Sequence, residues 1–81
     1  MTPRVVRAEY IQGYMIRVWF GDGSSADIDF AKELEGEVFD PLRDISYFRQ
    51  FLVHPELHTL VWPNGADFAP EFLYSKVQVA V

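Results

Sequence analysis

Residues 15–30 read MIRVWFGDGSSADIDF, and the spacing of their apolar side chains decides the fold. Ile16, Val18 and Phe20 recur at every second position, as do Ala26, Ile28 and Phe30. Met15, Arg17 and Trp19 fall between the first set, and Ser25, Asp27 and Asp29 between the second. A period of two is that of a strand with one apolar face. The link Gly21-Asp22-Gly23-Ser24 holds glycines that take positive φ at no steric cost, so the two runs are read as a tight hairpin. One apolar face and one charged face are what an antiparallel sheet wet on one side requires.

Upstream, Val6, Ala8 and Tyr10 share a face while Arg7 and Glu9 point away, and Gln12-Gly13 makes a turn, which completes a three-stranded meander. Downstream of Phe30 the period changes. Ala31-Lys32-Glu33-Leu34 are good helix formers that stop at Gly36, enough for a one-turn connector. Asp40-Pro41 offers a capping carboxylate before a proline, and Asp44 caps a short helix over residues 44–50. Ile45 and Phe48 seat that helix on the sheet, with Phe51 or Leu52 extending the contact. Residues 51–54 and 59–62 are strand-like and are joined by Pro55-Glu56-Leu57-His58 into a second hairpin.

The next stretch, Trp62-Pro63-Asn64-Gly65-Ala66-Asp67, then ends the strand. Pro63 stops the ladder, Asn64-Gly65 takes the left-handed conformations of a turn, and Asp67 satisfies free N–H groups near a closing helix over residues 70–76. The tail from Lys76 to Val81 alternates, as a further strand or a loose end would. The sum is an α+β fold in a single domain, 1–81. It is a small curved antiparallel sheet, built from an N-terminal three-stranded meander and a second hairpin, with one or two short helices.

A chain of 81 residues supports one core, and without cysteine it has neither a disulfide nor a thiolate metal site to staple it. Stability must then come from packing, for which the seven Phe, four Tyr and two Trp supply large buried areas. The formal charge of -5 repels a phosphate backbone, so direct nucleic-acid binding is not expected. No apolar run has the length of a secretory signal or a membrane span, and the cytoplasm is the expected compartment.

The pieces so ordered resemble domain-of-unknown-function family 2442, a group of small bacterial proteins. The resemblance rests on the hairpin from Tyr14 to Phe30 around Phe20-Gly21-Asp22-Gly23, on Val38-Phe39-Asp40-Pro41-Leu42-Arg43-Asp44 with Phe48, and above all on Leu60-Val61-Trp62-Pro63-Asn64-Gly65-Ala66-Asp67 leading to Pro70, Leu73 and Tyr74. It implies a compact α+β fold and carries no established activity. Some relatives resemble the N-terminal part of helix-turn-helix proteins, and others resemble one member of a toxin–antitoxin pair. Both contexts imply regulation or partner binding.

For function, the candidate contact surface is Trp19 and Arg17 on the outer face of the meander, with Trp62, Asn64 and Asp67 in the later turn. A tryptophan beside an arginine is the composition enriched in interface anchors. The competing account of the outer face is that the closing helix or the tail covers Met15 and Trp19. His54 and His58 flank a turn with Glu56 between them, too few ligands for a zinc site, so no metal and no cofactor is expected. No nucleophile, base and orienting group assemble into a catalytic set. The leading expectation is a non-catalytic protein-binding module, antitoxin-like, whose partner is basic or is a second copy paired at a sheet edge. The alternative is a small-molecule-sensing regulatory domain with a pocket between the sheet and residues 62–67.

Overall fold

The computed structural model describes residues 3–77. Strands β1 (Val5–Gln12), β2 (Met15–Phe20) and β3 (Ser25–Asp29) form an antiparallel meander in the order β1-β2-β3. A 3-10 turn over Asp40–Arg43 and helix α1 (Ile45–Phe48) follow, then the two-stranded sheet of β4 (Leu52–Val53) and β5 (Leu60–Val61), then helix α2 (Pro70–Tyr74). This is the small α+β architecture that the periodicity implies. The alternating tail lies outside the described residues from 78 onward. No helix among the described residues is long and apolar enough to cross a membrane.

The hairpin between β2 and β3 and the turn between residues 62 and 66 are built alike. Phe20 N–H donates to Ser24 C=O at 2.9 Å, and Gly23 N–H to Phe20 C=O at 3.0 Å. In the later turn Trp62 N–H donates to Ala66 C=O at 2.9 Å, and Gly65 N–H to Trp62 C=O at 2.9 Å. Each is a three-residue loop closed by a glycine at positive φ, 90° at Gly23 and 87° at Gly65. In each, the middle side chain accepts the N–H two residues on: Asp22 Oδ1 from Ser24 at 2.9 Å, and Asn64 Oδ1 from Ala66 at 3.0 Å. Residues 62–67 therefore continue a hairpin instead of ending a strand, and Val61 bridges to Asp67 beyond it. Gly65 alone is left-handed, not Asn64.

The inner face of the meander carries Ile16, Val18, Phe20, Ala26 and Ile28, all buried, with Phe30 just beyond β3. In β1 the phase differs from the expected one. The β1–β2 register slips between Val5 and Arg7, so Val5 is buried and Val6 is 57% exposed, while Ala8 and Tyr10 resume the inner face. A bulge adds one residue and moves every side chain before it to the opposite face.

Aromatic rings fill the space over this face. Trp62, 2% exposed, has Phe48 at 5.8 Å, Phe68 at 5.8 Å, and Phe30 and Phe51 at 6.3 Å between ring centroids. Its indole N–H donates to the Phe48 carbonyl at 2.8 Å, satisfying an orphan acceptor at the end of α1. Of the residues expected to seat α1, Phe48 is buried and Ile45 is 37% exposed; Phe51 joins the core and Leu52 does not. The helix is one turn because its cap, Asp44 Oδ1 accepting Ser46 N–H at 3.0 Å, follows directly on the 3-10 turn. Asp40 sits inside that 3-10 turn and is not its cap, the position held by Phe39. Helix α2 inserts Leu73 into the same core, with Pro70 in its first turn and Ala69 at its N-cap, so Asp67 does not cap it.

Replacing Trp62 separates the ring from its N–H. Trp62→Phe keeps aromatic volume but leaves the Phe48 carbonyl unpaired, a cost of about 1–3 kcal/mol. Trp62→Ala adds a cavity and costs about 3–5 kcal/mol. A chain of this length holds about 4–12 kcal/mol in total. Urea unfolding should show a lowered midpoint for the first variant and a much larger drop for the second; equal, small shifts would remove the indole from its anchoring role.

Candidate functional site

The outer face of the meander is a grid of three rows across three strands. The register sets Arg7 beside Trp19 beside Ser25, Glu9 beside Arg17 beside Asp27, and Gln12 beside Met15 beside Asp29. Arg7 lies with its guanidinium carbon 4.6 Å from the centre of the Trp19 ring and also pairs with Glu9. Arg17 holds Asp27 in a fork, Nε to Oδ1 at 2.6 Å and Nη2 to Oδ2 at 3.0 Å. That fork raises the Arg17 pKa and lowers that of Asp27, the hydrogen bond being the first cause in each. Both side chains are nearly half exposed, so the pair fixes geometry more than it adds stability.

Helix α2 does not cover this grid. Leu73 places it on the inner face, leaving Trp19 and Met15 half-buried and the rest of the grid exposed. A shallow concavity of about 570 Å³ opens there, lined by Arg17, Trp19, Ser25, Ala26, Asp27 and Lys76.

The structure separates the five candidate contact residues. Arg17 and Trp19 share the outer face. Trp62 is a core side chain with its only polar atom satisfied inside the chain, and it offers no contact surface. Asn64 spends its amide on the fold, Oδ1 on Ala66 and Nδ2 donating to the Val38 carbonyl at 2.8 Å. Asp67 is exposed at the bridge to Val61, away from the outer face of the meander. Trp62 and Ala66, each 2% exposed, fill the space beside the loop where a pocket was expected. Of the histidines, His54 Nδ1 accepts the N–H groups of Glu56 at 3.1 Å and Leu57 at 3.0 Å, and His58 takes φ 55 to close that turn. Among the described residues no group of three or more His, Asp and Glu converges as a metal site.

Two features escape a reading of alternation. Arg7 is assigned to the outer face by its period, but the pairing that sets it over Trp19, in one unbroken register from Arg7 to Tyr10, is not written in the alternation. The other is a contact 52 positions apart: the Tyr74 hydroxyl at the end of α2 donates to Asp22 Oδ2 at 2.5 Å, and its ring packs edge-on to Phe20 at 5.0 Å. A second concavity, of about 850 Å³, lies beside it between Pro3, Arg4, Val6, Phe20, Gly21, Asp22 and Tyr74.

A family model, "Protein of unknown function (DUF2442)", matches residues 5–78. The chain belongs to the DUF2442 family. No curated protein and no solved structure matches it. In this DUF2442 domain residues 60–67 form the hairpin that carries the Trp62 anchor.

The Asp22 contact gives this DUF2442 domain an acid-sensitive closure. The Ser24 hydroxyl, then the Tyr74 hydroxyl, then the Ser24 N–H all donate to Asp22 and draw its pKa down to about 2, while Tyr74 is raised by the same bond. A carboxyl whose folded pKa lies below its unfolded value stabilises the fold above the unfolded pKa and loses that contribution as pH falls. The window runs from about 4, the ordinary value, down to about 2. Denaturant unfolding of the wild type and Asp22→Asn at pH 6 and pH 2 should show the wild type ahead at pH 6 and most of the gap gone at pH 2, where the folded carboxyl is half protonated. A gap undiminished at pH 2 would show that the ionised carboxylate contributes nothing special.

Proposed function

We propose that this protein is a non-catalytic binding module for a protein partner, acting in the cytoplasm, with the outer face of the meander as its contact surface. One observation carries the reading: a half-buried tryptophan, braced by Arg7 and next to the Arg17–Asp27 fork, lies on a sheet face that α2 leaves open. Aromatic and arginine side chains held rigidly in this way lose little entropy on binding and are favoured anchors. The formal charge of -5 favours a basic protein over a nucleic acid. The family resemblance adds an antitoxin-like role, in which the partner is a second small protein.

The second reading is small-molecule sensing, and the concavity at Arg4, Val6 and Tyr74 is what favours it. A small ligand with an apolar body and a negative group would suit that lining, and would raise the melting temperature by mass action on the folded state.

Native co-purification tests the first reading. The untagged wild type should retain a specific protein partner, and Trp19→Ala should lose it by at least tenfold while still unfolding in one cooperative transition, at a midpoint lowered by the lost Arg7 contact. A Trp19→Ala variant that stays folded and retains the partner undiminished would remove the outer face from the interface.

A further inference from the structure

The meander has two edges, and they are not equivalent. At β1, the Val5 N–H is already spent on His58 C=O at 2.9 Å, and β4 packs alongside. Arg49 closes the other end of that strand, its guanidinium carbon 4.7 Å from the centre of the Tyr10 ring. At β3 the bonds that bracket the β2–β3 pair are Phe20 N–H to Ser24 C=O at 2.9 Å and Phe30 N–H to Tyr14 C=O at 2.8 Å. Antiparallel pairing alternates, so Ala26 and Ile28 turn their N–H and C=O groups toward β2, and Ser25, Asp27 and Asp29 turn theirs away. Among the described residues those six outward groups make no hydrogen bond.

An open row of this kind is a template for another strand, and charge selects which. A second copy of β3 laid antiparallel against this one would bring two further aspartates onto a face that already carries Asp27 and Asp29. Like charges opposed across strands destabilise pairing, so the sequence Ser-Ala-Asp-Ile-Asp resists its own kind. A strand with lysine or arginine at alternate positions sets cations beside Asp27 and Asp29, and the nearby Lys76 is itself paired with Glu33 at 4.0 Å. Asp29 holds Ala31 N–H with Oδ1 at 2.9 Å and leaves its other oxygen to face a cation. Asp27 is held by Arg17 in an exposed pair that exchanges partners at little cost. The intervening positions of the added strand would continue the apolar row of Ala26 and Ile28.

We propose that the β3 edge takes up an extended segment of the protein partner as a fourth strand, with basic side chains on the outer face beside Asp27 and Asp29 and apolar ones on the inner face. The proposal rests on the binding-module reading and adds the segment's conformation and chemistry to it. Three strands about 4.8 Å apart and three rows about 6.8 Å apart make an outer face of only about 300 Å². A stable interface takes about 800 Å² from each partner, so a contact centred on Trp19 must extend past the face, and β3 is the edge that β4 does not pack against.

Hydrogen exchange followed by NMR on the full chain tests this, with the acetylated and amidated heptapeptide Thr-Lys-Val-Lys-Val-Lys-Thr as probe. In the free protein the amides of Ser25, Asp27 and Asp29 should exchange fast while those of Ala26 and Ile28 are protected; the probe should slow the first three. Replacing its lysines with glutamates should weaken binding at least tenfold, and so should Asp27→Pro, which deletes an edge N–H together with the carboxylate beside the lysines and leaves the β2–β3 ladder bonds in place. Slow exchange at the three amides in the free chain, whether from a second copy or from residues 78–81, would overturn the proposal, as would equal binding of the two peptides. If Asp27→Pro retains the natural partner and Trp19→Ala loses it, the edge proposal fails while the outer-face reading stands.

Discussion

The indole of Trp62 is the point at which the separate pieces of this chain become one core. Its N–H reaches the Phe48 carbonyl at 2.8 Å across 14 positions, and its ring meets aromatic side chains from the end of β3, from α1, from the start of β4 and from the approach to α2. None of those elements is long enough to stand alone: α1 has four residues, α2 five, and β4 and β5 two each. A helix or hairpin of that size is unstable in water without tertiary contacts. The meander supplies a flat apolar floor, and the tryptophan holds the short pieces against it.

Such an arrangement makes turn chemistry decisive. The Asx–Gly turns at Asp22-Gly23 and Asn64-Gly65 build the same three-residue loop and aim an aromatic residue, Phe20 or Trp62, from the position before it. The middle side chain of each also has a second bond to a distant segment, Asp22 to Tyr74 and Asn64 to Val38. Each turn is thus a corner and a strut together, which is an economical way to order a chain with only one small core.

The parts of the fold that depend on period were legible in the sequence. Alternation over residues 15–30 and a proline-led final helix need only the side-chain order along the chain. What stayed hidden depends on register and distance. The bulge that exchanges Val5 for Val6 leaves no mark in a run of two valines, and the pairing of β1 with β2 that sets Arg7 against Trp19 leaves none either. Residues 62–67 contain turn-forming types that serve equally well to stop a strand or to reverse it; the backbone bond from Trp62 to Ala66 selects reversal. In the candidate site, Arg17 and Trp19 were legible as outward residues, whereas the burial of Trp62 depends on a partner carbonyl in another element.

Trp19 sits where the demands of fold and contact meet. Its cation–π contact with Arg7 and the neighbouring Arg17–Asp27 fork are cross-strand pairs, and such pairs fix register as well as surface. Register needs fixing here, because β1 carries an irregularity on either side of the stretch that pairs with residues 16–19. The ring is therefore braced before any partner arrives, and a braced ring loses less freedom on binding than a mobile one. Because the inner face is wholly committed to the aromatic core, the outer face can vary with a partner while the fold is held from the other side, and the acidic edge of β3 can be charged without cost to packing.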